Sequence, residues 1–311
     1  MASFLVGEIM IEETYKEFKV YKNKDNNIFI HINIESDKFY DELIEFFFKE
    51  EKLLSYIKNK TSIKFDASIQ QFVSLYKTLN GFIDDENLQI NINDLKKELS
   101  KYIDWENYSD DELLKLRRDK IGKVGEYIFH NILADYFKFT CILPKLILTT
   151  NKNMSIFGID VIFWNNEEKM LLFGESKVSK SLDKGIALIN QSLSNYEHQI
   201  KEEYRTILSS ELLSINLPEE MKSYIGKALN FDKFIKIAKI NKIGVPIFIM
   251  NGNDSEPEEI SNKLNKINKT KFMNLDTIYY VINIPIIDKN IFQSKIINYL
   301  RERCDYYESK C

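Results

Sequence analysis

Two apolar runs in this chain end against carboxylates. Asp160 stands directly before Val161-Ile162-Phe163-Trp164, and Met170-Leu171-Leu172-Phe173 runs through Gly174 into Glu175-Ser176-Lys177. Short apolar runs of this kind read as buried strands, and the polar Asn165-Asn166-Glu167-Glu168 between them reads as a hairpin loop. A hairpin of that length brings Asp160 beside Glu175. This arrangement constrains the fold strongly, because an unpaired carboxylate held against buried strand sequence is costly to desolvate. A divalent cation offsets that cost.

Strand side chains alternate, so Glu175 and Lys177 face one side and Ser176 the other. Asp160, Glu175, water and the Ser176 carbonyl oxygen make an all-oxygen set suited to Mg2+, with Mn2+ able to substitute. Such an ion polarises a phosphate, lowers the pKa of bound water and steadies a leaving oxygen. Lys177 is placed to orient or deprotonate the attacking water, or to balance charge on the phosphate. Upstream, Glu126 sits on a helix at the border of a stripe formed by Val124, Ile128, Ile132 and Tyr136. It completes the shell directly, through water, or at a second ion. Gly122 and Gly125 precede it, and two glycines inside a helix point to close approach of a backbone or ligand.

Taken singly, each fragment has a plainer reading. An E-x-K triplet is a strand-end ion pair, Gly158-Ile159-Asp160 a turn, and a helical Glu a solvated side chain. Their order is what points to a metal-dependent nuclease site. Gln191 and Tyr196 on the next helix are candidates for contacts to that site or to a nucleic-acid backbone. Lys180 and Lys184 extend the positive charge beyond Lys177. Lys115, Arg117, Arg118, Lys120 and Lys123 form a basic cluster before Glu126, which is equally well read as a solvated helix face.

Around the site the pattern is α/β. Residues 1–108 read as an N-terminal α+β module, with strands at Phe18 to Tyr21 and Ile28 to Ile34, helices near Tyr40 to Lys58 and Ala67 to Leu79, and a turn at Asn80-Gly81. His31 alternates with Ile30 and Ile32, which suits a structural role. Residues 109–311 open with the capping box Ser109-Asp110-Asp111-Glu112 and a helix to about Tyr136 or Phe137. Strands follow at Cys141 to Leu148, Ile159 to Trp164 and Met170 to Lys177, then a long helix from about Asp183 to Leu208. Strands at Val245 to Met250 and Thr277 to Ile284 flank a polar loop and helix, and a last helix spans roughly Asn290 to Arg303. This order predicts a mixed central sheet flanked by helices.

Bulk properties exclude other classes. No apolar run reaches the length of a membrane span, and the N-terminal residues lack the basic start of a signal peptide. With 3 Cys and 3 His, neither a disulfide framework nor a zinc site at recognised spacing can be assembled, and a reducing cytoplasm fits best. There is no phosphate-binding G-x-x-x-x-G-K-[ST] loop, so an ATP-driven step would belong to a partner. A net charge of -4 is unlike a protein that holds nucleic acid through phosphate contacts alone. A local basic patch or a partner must deliver the strand.

The motifs Gly125-Glu126-Tyr127-Ile128-Phe129, Phe157-Gly158-Ile159-Asp160 and Gly174-Glu175-Ser176-Lys177, with Asp183-Lys184-Gly185 after them, resemble those of the PD-(D/E)xK nuclease superfamily. More narrowly they resemble the HamA nuclease family of Hachiman anti-phage defence, which includes the anti-bacteriophage protein AbpA. The likeness extends toward the C-terminus and is vaguer before about residue 110. Gly-Ile-Asp stands where the superfamily name has Pro-Asp. The resemblance implies a restriction-endonuclease-like fold and a cytoplasmic, Mg2+-dependent DNA nuclease. It also implies a heterodimeric partner, a superfamily 2 helicase subunit (HamB) that loads DNA and restrains the nuclease. Glu126, Asp160, Glu175 and Lys177 match its catalytic motif. Two other readings stand beside this one: a non-catalytic adaptor that regulates the helicase, and a stand-alone restriction endonuclease.

Overall fold

The apolar runs all enter one sheet in the computed structural model. It describes residues 9–14, 18–23, 28–34, 39–50, 52–53, 68–83, 92–93, 96, 106, 109–110, 118–143, 158–209, 219–252, 256–286 and 289–311. The strands are β1 (Ile9–Thr14), β2 (Phe18–Asn23), β3 (Ile28–Ile34), β4 (Thr140–Leu143), β5 (Val161–Asn165), β6 (Met170–Ser179), β7 (Lys242–Asn251) and β8 (Asp276–Pro285). They lie in the order β1-β2-β3-β8-β7-β6-β5-β4. The four central strands β3, β8, β7 and β6 are mutually parallel, and the outer pairings on both sides are antiparallel. The expected mixed sheet is therefore present.

The centre of the sheet is buried on both faces, as parallel strands usually are. From Ile243 to Asn251 every residue of β7 is buried. Alternation along β6 sends Met170 and Leu172 to one core and Leu171 and Phe173 to the other. The first core is closed by α1 (Phe39–Phe48), α2 (Ile69–Ile83), α3 (Arg118–Asn131) and α9 (Lys289–Glu308), which supply Phe47, Tyr76, Phe129 and Ile296. The second is closed by α4 (Leu182–Leu193), α5 (Tyr196–Ser209), α6 (Glu219–Ile225), α7 (Phe231–Ile237) and α8 (Pro257–Leu264), which supply Ile189, Ile200, Met221, Phe234 and Ile260. Each such side chain contributes about 1.5–3 kcal/mol when fully buried.

Several boundaries differ from expectation. β1 was not foreseen, and neither were α6 and α7. Helix α2 runs through Asn80-Gly81 to Ile83, so the expected turn there is absent. The long helix expected after β6 is two helices, broken at Ser194-Asn195, where the Ser194 hydroxyl donates back to the Gln191 carbonyl. After α3 the chain widens into a π-helical turn, Ile132–Tyr136. The division into residues 1–108 and 109–311 is not a division of the sheet. β3 pairs with β8 from Ile28↔Tyr280 to His31↔Asn283, and one core joins Val20 and Phe47 to Phe129 and Ile297. The N-terminal strands are thus built into the same body as the rest.

Candidate active site

The candidate residues gather where β5 has ended and β6 continues. β5 pairs with β6 only from Asn165↔Met170 to Val161↔Gly174. β6 runs on to Ser179, held on its other side by β7 from Glu175↔Ile247 to Ser179↔Asn251. Among the described residues, one edge of β6 is therefore left without a strand over its C-terminal half, and the turn before β5 lies along it. Gly158 has φ 130°, a conformation that glycine alone adopts easily. The Asp160 N–H donates to the Gly174 carbonyl at 3.0 Å. The Ser176 N–H donates to Asp160 Oδ2 at 2.7 Å. A carboxylate thus satisfies the backbone donor that a strand would have taken. In extended backbone a residue's N–H and C=O face the same edge, so the Ser176 carbonyl is directed there too.

Glu175 lies on the α4 side of the sheet and is 3% exposed. Lys177 Nζ donates to its Oε1, while Oε2 is buried with no hydrogen-bond partner. Burial and then the Asp160 carboxylate push the Glu175 pKa up to about 7, against the pull of Lys177 and of the Ser192 hydroxyl. For Lys177, burial disfavours the ammonium, but the carboxylates of Glu175, Asp160 and Glu126 outweigh it and raise the pKa above the usual lysine value. Lys177 therefore stays charged at neutral pH.

Glu126 reaches the site from α3. That helix lies unusually close to β6, because a Cβ on Gly125 would sit 2.6 Å from Val178 Cγ2 and 3.4 Å from Ser176 Oγ. Gly122 has nothing within 4 Å of the same position, so only one of the two glycines marks a close approach. Glu126 is near enough to act on Lys177. Among the described residues, however, no three His, Cys, Asp or Glu side chains gather around one point that could hold a metal ion. The structure thus joins Asp160 and Glu175, with Glu126 within electrostatic reach of Lys177 and outside a three-carboxylate cluster.

Lys180, Lys184 and Gln191 are exposed, Lys180 just before α4 and the other two on it. The residue of α4 that turns toward Glu175 is Ser192, adjacent to Gln191 and absent from the expected set. Tyr196 is buried at the start of α5, and its hydroxyl donates to the Phe173 carbonyl at 2.7 Å. It anchors α5 to β6, and it lies near enough to the site to feel the charges of Glu175 and Asp160. Lys115 and Arg117 lie outside the described residues, and Arg118, Lys120 and Lys123 are on α3.

The donor set fits a hard cation. The Glu175 oxygen without a partner, the Asp160 carboxylate and the Ser176 carbonyl supply oxygen only, and few enough ligands for Mg2+ to keep several waters. Among the described residues no helix is long and apolar enough to cross a membrane. No curated protein and no solved structure matches the chain. The HamA family model matches residues 8–300, almost the whole length. The chain belongs to the HamA family, and so to Hachiman anti-phage defence.

Proposed function

We propose that this chain is a Mg2+-dependent DNA nuclease, the effector subunit of a cytoplasmic defence complex with a helicase partner. The observation that carries this reading is Glu175, a buried carboxylate with one oxygen held by Lys177 and the other without a hydrogen-bond partner, at an open sheet edge beside Asp160. An ion held by Glu175 Oε2, Asp160 and the Ser176 carbonyl would supply charge stabilisation at the phosphate and acidify a bound water. Lys177 holds the Glu175 carboxylate in place and presents a standing positive charge to the scissile phosphate. Hydrolysis then forms one P–O bond to the water oxygen as another P–O bond breaks, and a proton is taken up by the departing oxygen.

Lys180, Lys184 and Gln191 are exposed around the start and outer side of α4, where a DNA backbone would pass. The net charge of -4 and the lack of a phosphate-binding loop favour a subunit that relies on a helicase for strand capture and opening. The test is cleavage of DNA in Mg2+ by the purified chain together with its helicase. Glu175→Ala and Lys177→Ala are expected to abolish cleavage with the circular dichroism unchanged. Full activity in both variants would remove the site assignment.

A further inference from the structure

The turn that carries Asp160 is itself held from across the fold. Ile159 is fully buried, and its N–H donates to Oε1 of Glu203 on α5 at 3.3 Å. Glu203 is 5% exposed. Carboxylic side chains are rarely buried to that extent. A long side chain that reaches from α5 to this turn and accepts from its backbone calls for a reason.

The backbone around it supplies the reason. The residue after Ile159 is Asp160, whose N–H is fixed to the Gly174 carbonyl and whose Oδ2 accepts from the Ser176 N–H. Gly158, before it, has φ 130° and adds no stiffness of its own. Among the described residues, the bond to Glu203 joins the packing of the Ile159 side chain in holding the peptide that leads into Asp160, and it is the contact that fixes the amide itself. The helix that provides the hold is itself registered to β6, because Tyr196 lies two turns before Glu203 on α5 and donates its hydroxyl to the carbonyl of Phe173, next to Gly174. α5 thus ties together the strand that bears Glu175 and the turn that bears Asp160.

We infer that Glu203 is a positioning residue, which fixes the Ile159 peptide so that the Asp160 carboxylate is aimed along the open edge of β6 toward the Glu175 oxygen. This rests on the metal-site reading above. Glu203 touches neither substrate nor ion in this role, and acts through Asp160.

The test compares Glu203→Ala, Glu203→Asp and Glu203→Gln in the full chain by amide hydrogen exchange and by calorimetric titration with Mn2+. Glutamine keeps an acceptor oxygen at the same reach, whereas aspartate withdraws it by one methylene and keeps the charge. The Ala and Asp variants are expected to speed exchange at the Ile159 and Ser176 amides by roughly tenfold, the loss of about one hydrogen bond, and to weaken Mn2+ binding. Amides of β7 should stay protected, and the Gln variant should match wild type in both readouts. In an Asp160→Asn background, Glu203→Asp should weaken Mn2+ binding no further. Unchanged exchange at Ser176 in the Asp variant would overturn the inference. So would a uniform rise across the sheet, or a Gln variant no better than Asp. A wild-type chain that binds no Mn2+ would remove the metal site instead, and the exchange data would still decide the positioning role.

Discussion

The two halves of β6 are buried to nearly the same degree and built from different chemistry. From Met170 to Gly174 the strand has neighbours on both edges and carries only apolar side chains and a glycine. From Glu175 to Ser179 it keeps β7 but loses β5, and there it carries a carboxylate, an ammonium and two hydroxyls. Burial alone does not explain the change, since Glu175 at 3% is as hidden as Leu171 at 3%. The missing neighbour does. An open edge leaves backbone N–H and C=O groups to satisfy, and a carboxylate that satisfies one of them is already at hand for a cation.

The contrast predicts two kinds of damage. Leu172→Ala, in the fully paired half, removes a side chain with no exposure and should cost about 2–5 kcal/mol of stability. Its nuclease activity per folded molecule should stay near wild type. Lys177→Ala, in the open half, should cut activity at least about a hundredfold while moving the midpoint of urea unfolding much less. Measuring both quantities for both variants would break the comparison if the losses came out in the same ratio.

A second prediction separates function from stability at Glu175 itself. Its pKa is raised from the ordinary 4.5 to about 7 in the metal-free protein. The folded state therefore holds a proton that the unfolded state has already released, and stability falls as the pH rises through that window. Once both states are ionised the penalty is on the order of 3 kcal/mol. Glu175→Gln should accordingly be more stable than wild type at pH 8 without metal, by up to that amount, and the gap should narrow toward pH 5. Adding Mg2+ should raise the melting temperature of the wild type only. A gap that is the same at both pH values would show that Glu175 is ionised throughout and that its environment has been misjudged.

Much of this half-strand asymmetry could be read in the chain. The placement of Asp160 and Glu175 against apolar runs, and the alternation that pairs Glu175 with Lys177, depend on local pattern and carry over directly into β5 and β6. What could not be read depends on contacts between distant segments. Ser192 is one polar residue among several on α4 until the packing of α4 turns it toward Glu175. Glu203 looks like one more polar residue of an amphipathic helix until the fold seals it against Ile159. Tyr196 was singled out as a contact residue, but its bond to the Phe173 carbonyl, which ties α5 to β6, depends on packing that no local pattern shows. The N-terminal strands were seen in part, yet nothing local reveals that β3 would pair with β8 and so merge the two regions into one sheet.

The smallest expected effects bear on how Glu126 is brought to the site, and they turn on two glycines a few residues apart on one helix. At Gly125 an added methyl would lie 2.6 Å from Val178 Cγ2, on the open half of β6, so either α3 or the strand must give way. Gly125→Ala should cost about 1–3 kcal/mol and lower activity beyond that loss, because the shift carries Glu126 away from Lys177. At Gly122 the same methyl meets nothing within 4 Å. There the substitution removes backbone freedom from the unfolded chain at no steric cost, and should stabilise the protein by about 0.5–1 kcal/mol. Activity should be unchanged. Opposite signs in a thermal unfolding experiment would establish that, of these two glycines, only Gly125 sets the approach of α3 to β6 and with it the place of Glu126. If both variants were destabilised equally, the glycines would matter through helix geometry, and the approach to β6 would have to be set by other residues of α3.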